Sequence, residues 1–137
     1  MYQKITIVGN LGGDPEMRYM PDGTAVTSFS VATNRSWTDQ ATGQKVNETT
    51  WFRVSVWRRQ AEAANQYLSK GSKVLVEGRL RPDPATGGPR IFPRQDGTVG
   101  ASFEITADVV QFLSTRGDGS EYTGGVDTAV DDDDIPF

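Results

Sequence analysis

The stretch TWFRVSVWRR, residues 50–59, alternates apolar and polar side chains as a β-strand with one buried face does. One parity has the character of a core: Phe52, Val54 and Val56. The other parity carries two indoles, a guanidinium and a hydroxyl: Trp51, Arg53, Ser55 and Trp57. Flat rings beside cations are what a surface needs to stack the bases and hold the phosphates of a single strand. The alternative is that both tryptophans are buried in a sheet covered on both faces, and this stretch alone leaves the choice open.

The composition excludes several classes of chemistry. The 137 residues include no Cys and no His, which removes disulfides, thiolate nucleophiles, the commonest general base and most zinc sites. We therefore expect no catalytic residue, no metal and no cofactor. No signal-peptide core follows Met1 and no apolar run could span a bilayer, so the sequence favours a cytoplasmic protein.

The charge of the chain is unevenly distributed. The formal net charge is −4, yet all 14 Lys and Arg lie within residues 1–116 beside 11 Asp and Glu, a balance of +3. Residues 117–137 hold seven acids and no base. The sequence therefore predicts a mildly basic body that carries an acidic tail.

Five segments have the β-branched or alternating pattern of strands: residues 4–11, 25–37, 45–56, 73–80 and 101–113. Along the second of them, one parity passes from Phe29 in the apolar half to Trp37 in the polar half. We therefore expect this strand to leave the core and continue as an exposed arm. Residues 39–44 form the predicted hairpin tip, so that Trp37 and Trp51 lie on facing arms of one ribbon.

One segment, residues 60–69, has helical spacing, with Ala64, Tyr67 and Leu68 on the predicted apolar stripe and a stop at Gly71. Residues 83–100 contain three Pro and four Gly and are predicted to form a long loop or loose hairpin. In the last strand, the apolar parity is predicted to be Phe103, Ile105, Ala107 and Val109.

The element order is three strands, one helix and two strands, which is the order of the five-stranded OB-fold barrel. An α+β sandwich could be drawn from the same order. The long hairpin and the single helix before the fourth strand favour an all-β barrel with one short helix between strands 3 and 4. We expect this domain to cover residues 1–113, followed by a flexible linker over 114–130 and an acidic tip over 131–137, together a disordered tail.

Several motifs resemble those of the bacterial single-stranded DNA-binding protein family. They are VGNLGGDP (8–15), RYMPDG (18–23), SW and TG in the hairpin (36–37 and 42–43), TWFRV (50–54), YLSKG (67–71), VEGRL (76–80) and the terminal DDIPF (133–137). The resemblance covers about residues 3–113 and the last seven residues. It implies an OB fold that binds single-stranded DNA and assembles as a homo-oligomer, usually a tetramer.

Residue by residue, the resemblance implies base-stacking roles for Trp37, Trp51 and Trp57. It places four basic residues along the DNA path: Arg53, Arg59, Lys70 and Arg81. Family members often carry a further aromatic residue just after the fourth strand, where this chain has PDPA (82–85). Phe92, in the 83–100 loop, is a candidate to replace that aromatic side chain.

The acidic run and the apolar residues at the C-terminus resemble the family's partner-binding tip: Asp131, Asp132, Asp133, Asp134, Ile135, Pro136 and Phe137. The implied function is non-catalytic coating of single-stranded DNA at the nucleoid, with recruitment of replication, recombination and repair enzymes through the tip. The alternative within the same fold is an RNA-binding or translation-type module. A metal-dependent nuclease using Asp131 to Asp134, and an adaptor in which only the tail matters, are less consistent with the sequence.

Overall fold

The computed structural model describes residues 1–114, and these residues form seven strands and one helix. The strands are β1 (Ile5–Leu11), β2 (Glu16–Tyr19), β3 (Ala25–Thr38), β4 (Lys45–Trp57), β5 (Lys73–Leu80), β6 (Arg90–Pro93) and β7 (Val99–Phe112). The helix, α1 (Arg59–Tyr67), lies between β4 and β5.

Five of the strands close into a barrel in the order β1-β5-β7-β4-β3, and β3 returns to pair with β1. The β4–β7 ladder is parallel, and the other ladders within the described residues are antiparallel. Each of the five strands thereby pairs with a neighbour on both sides within the barrel. The predicted five-stranded OB-fold barrel with one short helix is confirmed.

The interior of the barrel is filled by the inward parity of its strands. β-Branched residues dominate it because their stiff side chains pack well on a pleated surface. The predicted core residues Val54 and Val56 are completely buried, as are Val74 and Val76 of β5. Phe52 is only partly buried and packs against the edge of this core.

A long ribbon of β3 and β4 extends beyond the barrel, paired from Val26 with Trp57 to Thr38 with Lys45. Its tip is closed by two backbone hydrogen bonds, from the N–H of Asp39 to the carbonyl of Gln44 (2.8 Å) and from the N–H of Gly43 to the carbonyl of Asp39 (2.7 Å). The predicted hairpin and its exposed arm are confirmed.

Helix α1 packs against β3 and β4 through its small residues. Ala61 and Ala64 are buried, as is Leu68 just after the helix. The buried hydroxyl of Thr27 donates to the carbonyl of Ala61 at 2.7 Å and joins helix to barrel. The prediction that Tyr67 lies on the apolar stripe is wrong, because the helix ends at this residue and its side chain remains 45% exposed.

The last strand contains a bulge that the sequence pattern does not reveal. Gly78 of β5 pairs with Ala107 and Glu77 pairs with Val109, so Asp108 is an extra residue in β7. Beyond the bulge the parity is reversed, because one extra residue moves every later side chain to the other face. Val109 is therefore exposed although it shares its sequence parity with the buried Ile105 and Ala107, and Val110 packs against the core instead.

Two short strands complete the sheet. β2 pairs with the edge of β3 and was not predicted, because its four residues, EMRY, are too few to establish a period and are mostly exposed. β6 lies inside the predicted 83–100 loop and forms a hairpin with the start of β7.

The predicted linker and acidic tip, residues 114–130 and 131–137, lie outside the described residues except for Ser114. Within residues 1–114, the helix α1 is too short and too polar to cross a bilayer.

Candidate nucleic-acid interface

The candidate interface is centred on the outward parity of β4. Trp51 is 53% exposed and Arg53 is exposed, while Ser55 and Trp57 are half-buried. The prediction that this parity faces outward is confirmed. We call the barrel surface formed by these four side chains and their lateral neighbours the outer face.

The neighbouring strands add arginines to the outer face. Arg53 lies opposite Glu104 in the β4–β7 ladder, and the N–H of Arg81 donates to the carbonyl of Glu104 at 2.7 Å. Arg79 lies opposite Thr106, two residues along β7. Because directly opposed residues project from the same face of a sheet, Arg79 and Arg81 share the outer face with Arg53.

The acid at the centre of this surface is partly neutralised. The side chain of Glu104 is only 12% exposed, and its Oε2 accepts a hydrogen bond from the hydroxyl of Ser102 at 3.1 Å. The guanidinium of Arg90 lies 3.9 Å from the same oxygen. Arg90 and Ser102 therefore offset the charge of Glu104, the carboxylate opposite Arg53 in the β4–β7 ladder.

Phe92 lies on β6 directly opposite Gly100, on the same side of the sheet as Arg90 and Ser102. A Cβ at Gly100 would come within 2.8 Å of the far end of the Phe92 ring, so the ring covers this glycine. The guanidinium of Arg94 is 5.9 Å from the ring centroid. The register thus places Phe92 on the outer face, next to the start of β7, which pairs further along with β4.

The indole of Trp51 borders a cleft beside the β1–β2 loop. The cleft is lined by Gly12, Gly13, Asp14, Glu16, Ser28, Phe29, Ser30, Trp51 and Arg53. The N–H of Gly12 donates to the carbonyl of Ser30 at 3.0 Å, which fixes the loop across β3. An aromatic wall, an arginine and several polar groups therefore meet in one open depression.

Trp57 lies at the other end of the outer face, next to the start of α1. The residue opposite it, Val26, is 1% exposed. The indole is itself half-buried, so less of its ring is open to a ligand than in Trp51.

Trp37 lies apart from the other two tryptophans. In the β3–β4 ladder Trp37 pairs with Val46 and Ala32 pairs with Trp51. Since side chains alternate along a strand, this register puts Trp37 on the opposite face of the ribbon from Trp51. Its ring is 39% exposed, and the guanidinium of Arg35 lies 4.7 Å from the ring centroid, in cation–π distance.

The remaining predicted basic residues flank the outer face. Lys70 is exposed, and its backbone N–H donates to a carboxylate oxygen of Asp14 at 2.8 Å, which brings it to the cleft beside Trp51. Arg59 is exposed at the start of α1, two residues after Trp57, and borders a second depression with Asp22. A hydrogen bond from the N–H of Thr24 (2.9 Å) holds the pKa of Asp22 below its usual range, so this acid stays charged.

Three arginines of this region were not singled out from the sequence: Arg35, Arg79 and Arg90. The two-residue period of β5 puts Arg79 on the same face as Glu77 but does not show which residue lies beside it. Its place beside Thr106 depends on the β5–β7 register, which no local pattern specifies.

The far side of the β6–β7 hairpin is apolar. Ile91, Val99 and Phe103 share this side and are each at least half exposed. The Phe103 ring lies 5.9 Å from that of Phe52, which connects the apolar surface to the core edge.

Comparison with known proteins agrees with this geometry. The sequence model of the Single-strand binding protein family matches residues 2–113. The chain belongs to this family. The resemblance stated from the motifs is thereby confirmed. Two curated relatives, the single-stranded DNA-binding proteins of Neisseria meningitidis serogroups A and B, are each 40% identical over 117 residues. The match covers 85% of this chain and 63% of each relative, so the chain spans less than two thirds of their length.

One similar solved structure is that of a Plasmodium falciparum SSB in complex with single-stranded DNA. It superposes with a TM-score of 0.65 at 26% identity, covering 83% of this chain and 96% of that one. The two structures therefore correspond over nearly the whole of the Plasmodium falciparum chain.

Proposed function

We propose that the chain binds single-stranded DNA without sequence choice, through the outer face. The observation that carries this proposal is the register that sets Trp51, Trp57 and Phe92 on one surface with Arg53, Arg79 and Arg81. Family membership and the DNA-bound relative support it.

The physical basis of binding is stacking combined with phosphate contacts. Every base has a π-face, so stacking on an indole is worth about 1–3 kcal/mol per base and tolerates any sequence. Arginines beside the rings contribute an attraction to phosphates that is also independent of sequence and that weakens as salt rises. Trp37, on the other side of the ribbon, would contact a strand that wraps around the arm.

The protein has a binding role rather than a catalytic one in this proposal. The outer face offers rings, hydroxyls and cations, and residues 1–114 contain no cluster of three or more acids that could hold a metal. We propose that it protects single strands at the nucleoid during replication, recombination and repair.

The same proposal includes a homotetramer built from the OB domain. The exposed apolar surface of Ile91, Val99 and Phe103 supports self-association, because exposed apolar patches commonly mark interaction sites. Light scattering on the full chain and on a chain ending at residue 113 would give a tetramer in both cases. A monomer, or dissociation of the shorter chain, would contradict this part.

The C-terminal residues are proposed to capture replication and repair enzymes. Phe137 offers a ring for a pocket, Pro136 restricts the backbone, and the acids from Asp131 to Asp134 would meet basic groups around that pocket.

Competition between nucleic acids tests the choice of ligand. Anisotropy of a labelled oligo(dT) should rise on binding, and unlabelled oligo(dT) should displace it more effectively than oligo(U) or duplex DNA of equal length. Displacement by oligo(U) at lower concentration than by oligo(dT) would favour an RNA-binding module instead.

A further inference from the structure

Gly12 lies in the loop after β1, directly against the indole of Trp51. A Cβ built at Gly12 would lie 2.5 Å from Cζ3 and 2.8 Å from Cη2 of Trp51. Real Cβ atoms do not approach other heavy atoms this closely, so any larger residue at position 12 must displace the ring. We infer that Gly12 is a positioning residue for Trp51, which sets the orientation in which this indole meets a DNA base.

The inference rests on the proposed function, and three observations support it. The loop itself is fixed, because the N–H of Gly12 donates to the carbonyl of Ser30 at 3.0 Å. Trp51 remains 53% exposed, so much of its side chain is open to a ligand. Both ring atoms nearest to Gly12 are at the far end of the indole, where a small contact rotates the whole plane.

A ring whose outer edge lies against a fixed loop is pre-organised for stacking. The base then meets a fixed plane and the side chain loses little conformational freedom on binding. With a methyl group at position 12, the indole must turn away from the loop and lose this support. The backbone can accept the methyl group, since the φ of Gly12 lies outside the left-handed region.

The adjacent glycine provides a matched control. Gly13 also has a φ outside the left-handed region, and a Cβ there would meet no atom within 4 Å. Gly12→Ala and Gly13→Ala therefore make the same chemical change in the same loop, and only the first reaches Trp51. Thermal unfolding of both variants should resemble that of wild type, because the atoms nearest the new Cβ at position 12 belong to the exposed side chain of Trp51 and not to the core.

Binding of a labelled oligo(dT) is the first measurement. Gly12→Ala should weaken binding by about three- to tenfold, which is part of the effect of losing one stacked base. Gly13→Ala, whose methyl group also lies at the cleft, should lose less affinity than Gly12→Ala, because it leaves the indole in place. If both variants bind as wild type does, the positioning role is wrong while the proposed function stands. If the wild-type protein does not bind oligo(dT), the proposed function itself fails.

A second background separates positioning from a direct block of the DNA path. The ring of Trp51→Phe is shorter than the indole and does not extend to the positions of Cζ3 and Cη2. Adding Gly12→Ala to Trp51→Phe should therefore cause no further loss of affinity. An equal loss in the wild-type and Trp51→Phe backgrounds would show that the methyl group obstructs DNA directly, and would overturn the inference.

The orientation of the ring can also be observed without DNA. In a protein carrying Trp37→Phe and Trp57→Phe, Trp51 is the sole indole, since the sequence has three Trp. Adding Gly12→Ala should change its near-UV circular dichroism and emission maximum, and adding Gly13→Ala should change neither. Identical spectra for the two glycine variants would contradict the contact itself, whatever the protein binds.

Discussion

The three tryptophans differ in what surrounds their rings, and this sets what each contributes. Trp51 is open on one side, Trp57 is half-buried opposite Val26, and Trp37 lies on the exposed arm beside Arg35. On the proposed function, truncating a ring removes stacking in every case, and it also removes packing where the ring is covered.

We expect Trp37→Ala, Trp51→Ala and Trp57→Ala each to weaken single-strand binding by about 1–3 kcal/mol with the fold retained. Trp57→Ala should show the largest accompanying loss of stability, because its ring is the most covered of the three. Titration with oligo(dT) and urea unfolding of the same samples measure the two effects separately. A loss of about 3–5 kcal/mol in unfolding free energy at any position would identify that Trp as a core residue instead.

At this scale the two-residue period of β4 was sufficient to predict which side chains leave the core. Trp51 and Arg53 face outward as predicted, and Val54 and Val56 are buried. The side of the ribbon on which Trp37 lies was not predictable in the same way. It depends on the β3–β4 register, and a shift of one residue would have put Trp37 on the same face of the ribbon as Trp51.

The junction between β4 and α1 contains the one non-glycine residue of positive φ within residues 1–114. Arg58 has φ 63° and ψ −129°, a conformation that costs a residue with a Cβ about 1–3 kcal/mol. The backbone of Arg58 is hydrogen-bonded on both sides of the junction. Its N–H donates to the carbonyl of Ala25, and the carbonyl of Arg58 accepts from the N–H of Ala61. The surrounding structure therefore imposes the strain.

Because of this strain, we expect glycine at position 58 to give a more stable protein than alanine, the reverse of the usual order. Glycine normally destabilises relative to alanine, by about 0.4–1 kcal/mol, through the entropy of the unfolded chain. At this position Arg58→Gly should be more stable than Arg58→Ala by on the order of 1 kcal/mol, because only glycine relieves the strain. Both variants remove the same exposed side chain. Urea unfolding that ranked Arg58→Ala as equal or more stable would contradict the strained geometry.

The elements themselves were largely predictable because each is long and has a regular period. The exceptions have local causes. The extra residue Asp108 reverses the parity of β7, so Val109 is exposed. A sequence signal of this bulge is Gly78, which pairs with the neighbouring Ala107. Strand β2 is short and polar and is recruited by the edge of β3, which is a tertiary effect.

Charge separation along the chain determines how the whole molecule should respond to salt. Residues 1–116 have a balance of +3, while residues 117–137 carry seven acids and no base. On the proposed function, the acidic segment competes with phosphates for the same cations. This competition is electrostatic and should fade as salt screens it.

Deleting residues 131–137 should therefore tighten DNA binding at low salt, have little effect at high salt, and abolish capture of partner enzymes. Phe137→Ala removes no charge, so it should leave DNA affinity nearly unchanged and abolish capture alone. Anisotropy at two salt concentrations and pull-down with purified replication or repair enzymes measure the two effects. If the deletion leaves low-salt affinity unchanged, the tail does not compete with DNA. Capture of the same enzymes by Phe137→Ala would show that the ring is not recognised.

The proposed function requires that the indoles and the arginines of the outer face both bind the same DNA strand. Intrinsic tryptophan fluorescence of the full chain, titrated with oligo(dT) at low and high salt, tests both parts in one measurement. The proposed function predicts strong quenching at saturation, because bases stack on the rings. It also predicts an affinity that falls as salt rises, because the arginines bind phosphates. Binding without quenching, or an affinity independent of salt, would contradict it.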